Sequence, residues 1–75
     1  MMYNLNMVHR LEYIITPTCG FKTGHIYEVI ITEADNAGYI CSSKYDETDD
    51  EDIDIQIYLS STKSVERYFK EVRDK

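Results

Sequence analysis

The densest chemical signal in the chain is residues 46–54, Asp-Glu-Thr-Asp-Asp-Glu-Asp-Ile-Asp, with seven carboxylates in nine residues. Asp46, Asp49, Asp50 and Asp52 are hard oxygen donors of the kind calcium takes. A calcium loop needs glycine at its sixth position to turn back on the ion, and Glu51 stands there. Paired carboxylates also serve as general acid and base, but only when different environments separate their pKa values. A solvated run gives all of them nearly the same environment, so the run does not read as catalytic.

The remaining reactive residue types are sparse. His9 and His25 have no Ser or Cys neighbour in a nucleophile arrangement. Gly20-Phe21-Lys22-Thr23-Gly24 lacks the spacing of a phosphate-binding loop and the helix that should follow it. Cys19 and Cys41 show no CxxC spacing and no His pattern for zinc. They would form one disulfide in an exported protein; the start, Met1-Met2-Tyr3-Asn4-Leu5-Asn6, carries no secretory pattern, so both are read as reduced thiols in a cytoplasmic setting. Cys41 is expected to pack as a small hydrophobe. The expectation is a protein that is not an enzyme and has no metal site and no cofactor.

Charge narrows the partners. The 75 residues carry 14 acids and eight Lys or Arg, a net charge of −6. Removing the seven acids of the run leaves seven acids against eight bases, so all of the net acidity belongs to that one segment. Direct nucleic-acid binding is disfavoured: Arg10, Lys22 and Lys44 are scattered, and the dominant field repels phosphate. The seven tyrosines, with no Trp, supply aromatic area without the basic groove that single-strand binders pair with it. Tyr13, Tyr27 and Tyr58 read most simply as core or half-exposed sheet residues. No apolar run is long enough to span a bilayer, so no membrane partner is expected.

The elements that hold these residues form one domain over residues 1–75. Arg10–Thr16 is rich in β-formers, with Leu11, Tyr13 and Ile15 on one face. Pro17, Gly20 and Gly24 punctuate a loop. His25–Thr32 is a second strand, with Tyr27, Val29 and Ile31 on one face and Ile26 and Ile30 on the other. Asp35-Asn36-Ala37-Gly38 is a turn in which Gly38 is expected to take positive φ, leading into the strand Tyr39–Ser42. Like charges at the density of the acidic run bury nothing, so residues 44–52 are expected to be a mobile acidic loop. Ile53–Leu59 alternates cleanly, with four aliphatics on one face. Ser60-Ser61-Thr62 offers N-caps, and Val65, Tyr68, Phe69 and Val72 recur at helical spacing, predicting an amphipathic helix of about three turns. Glu66 and Lys70 form an i,i+4 pair on its outer face.

The fold class expected is α+β: a four-stranded antiparallel sheet, or a partly closed SH3-like small barrel, with one C-terminal amphipathic helix. Gly24-His25-Ile26-Tyr27-Glu28-Val29-Ile30, followed by the Asn36-Ala37-Gly38-Tyr39-Ile40 hairpin, resembles the small SH3-like barrels of phage-encoded proteins. In those, a Gly-x-x-Tyr-x-Val strand leads through a Gly-containing turn into a strand that starts with an aromatic residue. The likeness covers residues 24–41. It departs where the family has a short final strand after a 3₁₀ turn, since a full helix is expected there.

In size and acidity the chain is similar to phage inhibitors of host defence or restriction systems, anti-CRISPR proteins among them. That likeness implies a non-enzymatic binder that docks on a host protein with a basic surface, in the host cytoplasm, by imitating the phosphate ladder of DNA. Asp46, Glu47, Asp49, Asp50, Glu51, Asp52 and Asp54, with Tyr45 at their approach, are the expected partner-binding residues. The bland alternative is a solvated loop that aids solubility. A different class of function is an oligomeric module that sequesters a small signalling molecule, with Arg10, Lys22 and Lys44 lining its pocket. Ile14, Ile26 and Ile30 lie opposite the expected core face and are the expected self-association surface of a homodimer.

Overall fold

A computed structural model describes residues 3–72. Period-two alternation becomes four long strands: β1 (Val8–Tyr13), β2 (Ile26–Glu33), β3 (Tyr39–Asp46) and β4 (Glu51–Leu59). A short helix, α1 (Thr62–Tyr68), and a fifth strand, β5 (Phe69–Glu71), follow among the described residues. All pairings are antiparallel, in the order β4-β3-β2-β1-β5. No ladder joins β4 to β5 among the described residues, so the sheet is open. The expected α+β class holds in this coarser form. The count of four strands is corrected to five.

The fifth strand comes out of the expected helix. Ser61 caps α1 as predicted, its Oγ accepting from the Ser64 amide at 3.2 Å. The helix then stops at Tyr68, and Phe69 turns extended and pairs with Tyr13. Seven residues of helix are marginal alone. The extended turn-out covers the edge of β1 and inserts Phe69 into an aromatic cluster with Tyr13 and Phe21. Val65 and Phe69 are buried as the stripe predicts, but Lys70 stands in β5, outside the helix in which it was expected to face Glu66.

The core lies on the face that carries Leu11, Tyr13, Tyr27, Val29, Ile31, Cys41, Ile57 and Leu59. Phe21, from the loop after β1, is fully buried among them, which the Gly/Pro punctuation of that loop did not suggest. Its ring stacks on Tyr13 at 5.4 Å and meets Tyr27 edge-on at 4.9 Å. A tight turn presents it: the Thr18 and Phe21 amides each donate to the other's carbonyl, with Cys19 and Gly20 both at positive φ between them. A Cβ on Gly20 would lie 2.6 Å from Ile55 Cγ2, so the turn packs tightly over β4. In the β2–β3 turn the positive φ belongs to Ala37, at 63°, and not to Gly38 as expected. No helix is long and apolar enough to cross a membrane among the described residues.

Candidate functional site

The acidic run is not a nine-residue loop. β3 continues to Asp46 and β4 begins at Glu51, with Asp46 opposite Glu51 and Tyr45 opposite Asp52 in the ladder. Only residues 47–50 turn, and Asp50 takes positive φ at 53°, a conformation Asp tolerates better than most residues. The expectation of a loop over 44–52 failed because it weighed like-charge repulsion against no compensation, and compensation is present.

Most of that compensation comes from residues far away in sequence. Arg10 Nε on β1 donates to Glu47 Oε1 at 2.9 Å and Oε2 at 3.1 Å. Lys22, on the β1–β2 loop, reaches Asp49 Oδ2 at 3.0 Å. Lys44 lies 3.5 Å from Asp54 Oδ1, with both side chains exposed. His25 Nδ1 is 2.8 Å from Asp46 Oδ2 and 3.6 Å from Asp49 Oδ2. The bases that look scattered in sequence therefore sit on four different carboxylates. Arg10, Lys22 and Lys44 are spread along the hairpin in this way and do not converge on one pocket.

Asp46 anchors the turn. It is 1% exposed, although strict alternation from the inward Ser43 would point it outward. A bulge between Ser43 and Tyr45 resets the alternation, with Ser43 Oγ donating to the Tyr45 carbonyl at 3.0 Å. The inward carboxylate accepts from the Thr48 amide at 2.9 Å and the Asp49 amide at 3.2 Å through Oδ1. Burial alone raises the Asp46 pKa; the hydrogen bonds from His25 and from the Asp49 and Thr48 amides outweigh it and hold the carboxyl below the ordinary range. The turn is also tied to β2: Glu47 N donates to the Ile26 carbonyl at 2.8 Å, and Ile26 N donates to Thr48 Oγ1 at 2.7 Å.

The expected partner-binding residues thus divide by role. Asp46 is internal and holds the turn. Glu47, Asp49 and Asp54 are exposed or half-exposed and ion-paired. Asp50 accepts a hydrogen bond from the Tyr45 hydroxyl. That bond, desolvation and the Asp50 charge push the Tyr45 phenol up to about 12, so it stays a donor. Glu51 and Asp52 are exposed and make no ion pair among the described residues. Uncompensated charge is therefore concentrated at Asp50, Glu51 and Asp52, on the hairpin tip and the start of β4.

His25, Asp46 and Asp49 bring three donor atoms within 4.8 Å of one another, a grouping that sequence reading missed because the bulge that turns Asp46 inward has no clear signal. Lys22 Nζ already donates to the Asp49 Oδ2 that faces His25, and Asp46 is satisfied by protein donors, so the grouping is explained by the fold.

Of the expected self-association residues, Ile14 and Ile30 are exposed and Ile26 is half-buried. Ile30 is 37% exposed and lies opposite Val8, itself 61% exposed. Ile26 is half-buried opposite Glu12, and Ile14 lies past the end of β1, where its amide donates to the Tyr68 carbonyl. Of the tyrosines singled out, Tyr13 and Tyr27 are core and Tyr58 is exposed. Cys41 is buried, as its strand position suggested, and Cys19 is exposed. No known protein family, curated protein or solved structure matches the chain.

Proposed function

We propose that this protein is a non-enzymatic binding module that presents a rigid acidic hairpin to a basic surface on another protein. The observation that supports it most is the division of the acids. Asp46, Glu47 and Asp49 are bound to bases from β1 and the loop after it, Asp54 makes only an exposed contact with Lys44 across the hairpin, and Asp50, Glu51 and Asp52 are left facing solvent. A preorganised charged tip loses little entropy on docking, and its field acts over about 8 Å at physiological salt. The narrower reading is a phage-type inhibitor that occupies a nucleic-acid-binding cleft on a host defence protein as a DNA mimic, and the chain's small size and net charge of −6 support it. For the fold, the finer reading is an SH3-like barrel opened between β4 and β5. The short last strand that pairs back on β1 after a single short helix is the element whose apparent absence had set the sequence apart from that family.

The test is capture of nucleic-acid-handling proteins from a bacterial lysate on the immobilised protein, followed by elution with salt and with duplex DNA. The expected result is a captured protein released by both and lost when Asp50, Glu51 and Asp52 are changed to Asn, Gln and Asn. Capture that ignores both the substitutions and salt would overturn the reading. A homodimer through Ile14, Ile26 and Ile30, with exposed Val8 opposite Ile30, is a compatible proposal, and sedimentation showing a strict monomer at tens of micromolar would exclude it.

A further inference from the structure

We propose that the outer edge of β4 receives an extended segment of the partner as an added strand, with basic and aliphatic residues alternating along it. This deepens the reading above and rests on it for the sign of the partner's charge. β4 is nine residues long and stands at the end of the sheet. Its described backbone hydrogen bonds all go to β3, which leaves the alternate amides and carbonyls of its other side open. The opposite edge, β5, is three residues long and carries Lys70, so it is blunted in the usual way. β4 contains no proline and no base.

The two faces of β4 define the occupant. On the inner face Ile53 and Ile55 are half-buried and continue the row of buried Ile57 and Leu59, with the Gly20 turn packed against Ile55. On the outer face Asp52, Asp54, Gln56 and Tyr58 are exposed. A strand laid beside β4 sets its alternate side chains next to these two rows. Aliphatic residues would complete the isoleucine row, and Lys or Arg would meet Asp52 and Asp54. A second copy of β4 could also supply aliphatic residues, but it would set its own Glu51, Asp52 and Asp54 and no base against this acidic edge, which is why a basic foreign segment is the occupant that fits.

The probe is a dye-labelled nine-residue peptide of alternating lysine and valine, measured by fluorescence anisotropy against the full chain. Two further peptides carry N-methyl groups on one or the other alternate set of amides. The expected result is that one methylated peptide, and only one, loses at least ten-fold in affinity, because a strand bonds its neighbour through one set of alternate amides. Hydrogen exchange should slow at alternate amides within Ile53–Tyr58, and Asp52→Asn with Asp54→Asn should weaken binding without altering the fold. Equal binding of all three peptides would overturn edge addition while leaving recognition of a basic partner intact. Failure of every basic peptide, together with indifference to the tip neutralisation described above, would overturn both. Protection of the β4 amides in the protein alone, lost on dilution, would assign the edge to a second copy and overturn the proposal.

Discussion

Replacing Asp46 separates the part of the acidic hairpin that holds the fold from the part that faces a partner. Asp46→Ala removes a buried carboxylate that binds His25 and two turn amides at 2.8, 2.9 and 3.2 Å. A charge-assisted hydrogen bond contributes about 1.5–3 kcal/mol, and a donor left unsatisfied costs about 1–3 kcal/mol if water cannot reach it. The turn amides lie beside solvent and His25 is partly exposed, so the low end of each range applies, and the expected loss is about 2–3 kcal/mol. Asp46→Asn keeps the amide oxygen for Thr48 and Asp49 but loses the charge, so about 1–2 kcal/mol is expected. A domain of this size has about 3–5 kcal/mol in hand. Urea unfolding followed by far-ultraviolet circular dichroism, with a slope near 1 kcal/mol/M, should therefore show the Asp46→Ala midpoint about 2–3 M lower. The pH signature has a definite sign. Because the folded pKa of Asp46 lies below its unfolded value of about 3.9, its contribution is present above that value and is lost as pH falls through the folded pKa. Both variants should approach the stability of the native chain in acid and differ most above about pH 5. A loss below about 0.5 kcal/mol at neutral pH, or a difference that does not shrink in acid, would refute the anchoring role.

Converting Asp50, Glu51 and Asp52 together to their amides should leave stability within about 0.5 kcal/mol while reducing partner affinity by orders of magnitude, as read by urea melts beside binding at two salt concentrations. Glu47→Gln loses a half-exposed contact to Arg10 and should cost under about 1 kcal/mol, so a larger loss in the same melts would mean that pair is more structural than its exposure indicates. Burial pushes the Cys41 thiol up to about 12, so in the folded protein a thiol reagent should modify exposed Cys19 readily and Cys41 only after unfolding; two equally fast thiols would contradict the packing. Gly20→Ala meets both a φ of +96° and Ile55 Cγ2 at 2.6 Å, and about 1–3 kcal/mol of destabilisation is expected, whereas Gly38→Ala meets only the exposed Tyr58 ring and should cost well under 1 kcal/mol.

Strand identity and facing were legible from period two alone. Tyr27, Val29 and Ile31 are buried together, and Ile57 and Leu59 continue one buried face, because a half-buried strand must place alternate residues on opposite sides. The N-cap at Ser61 and the inward Val65 were equally readable, since they depend on residues about one turn apart. The end of the helix was not. Whether Phe69 continues a helical stripe or opens into β5 depends on Tyr13 and Phe21, which lie more than forty residues earlier, and on an edge of β1 that only the assembled sheet exposes. The acidic run shows the same division more sharply. Its net charge is a property of the sequence, but its order is decided by Arg10, Lys22, His25 and Lys44, which tertiary structure brings onto four of its carboxylates. One bulge between Ser43 and Tyr45 turns Asp46 from the solvent to the core side, and no local pattern announces it. Long-range charge pairing and a single extra residue in a strand both act between segments distant along the chain, so composition names the charged hairpin while only the fold decides which of its carboxylates stand free.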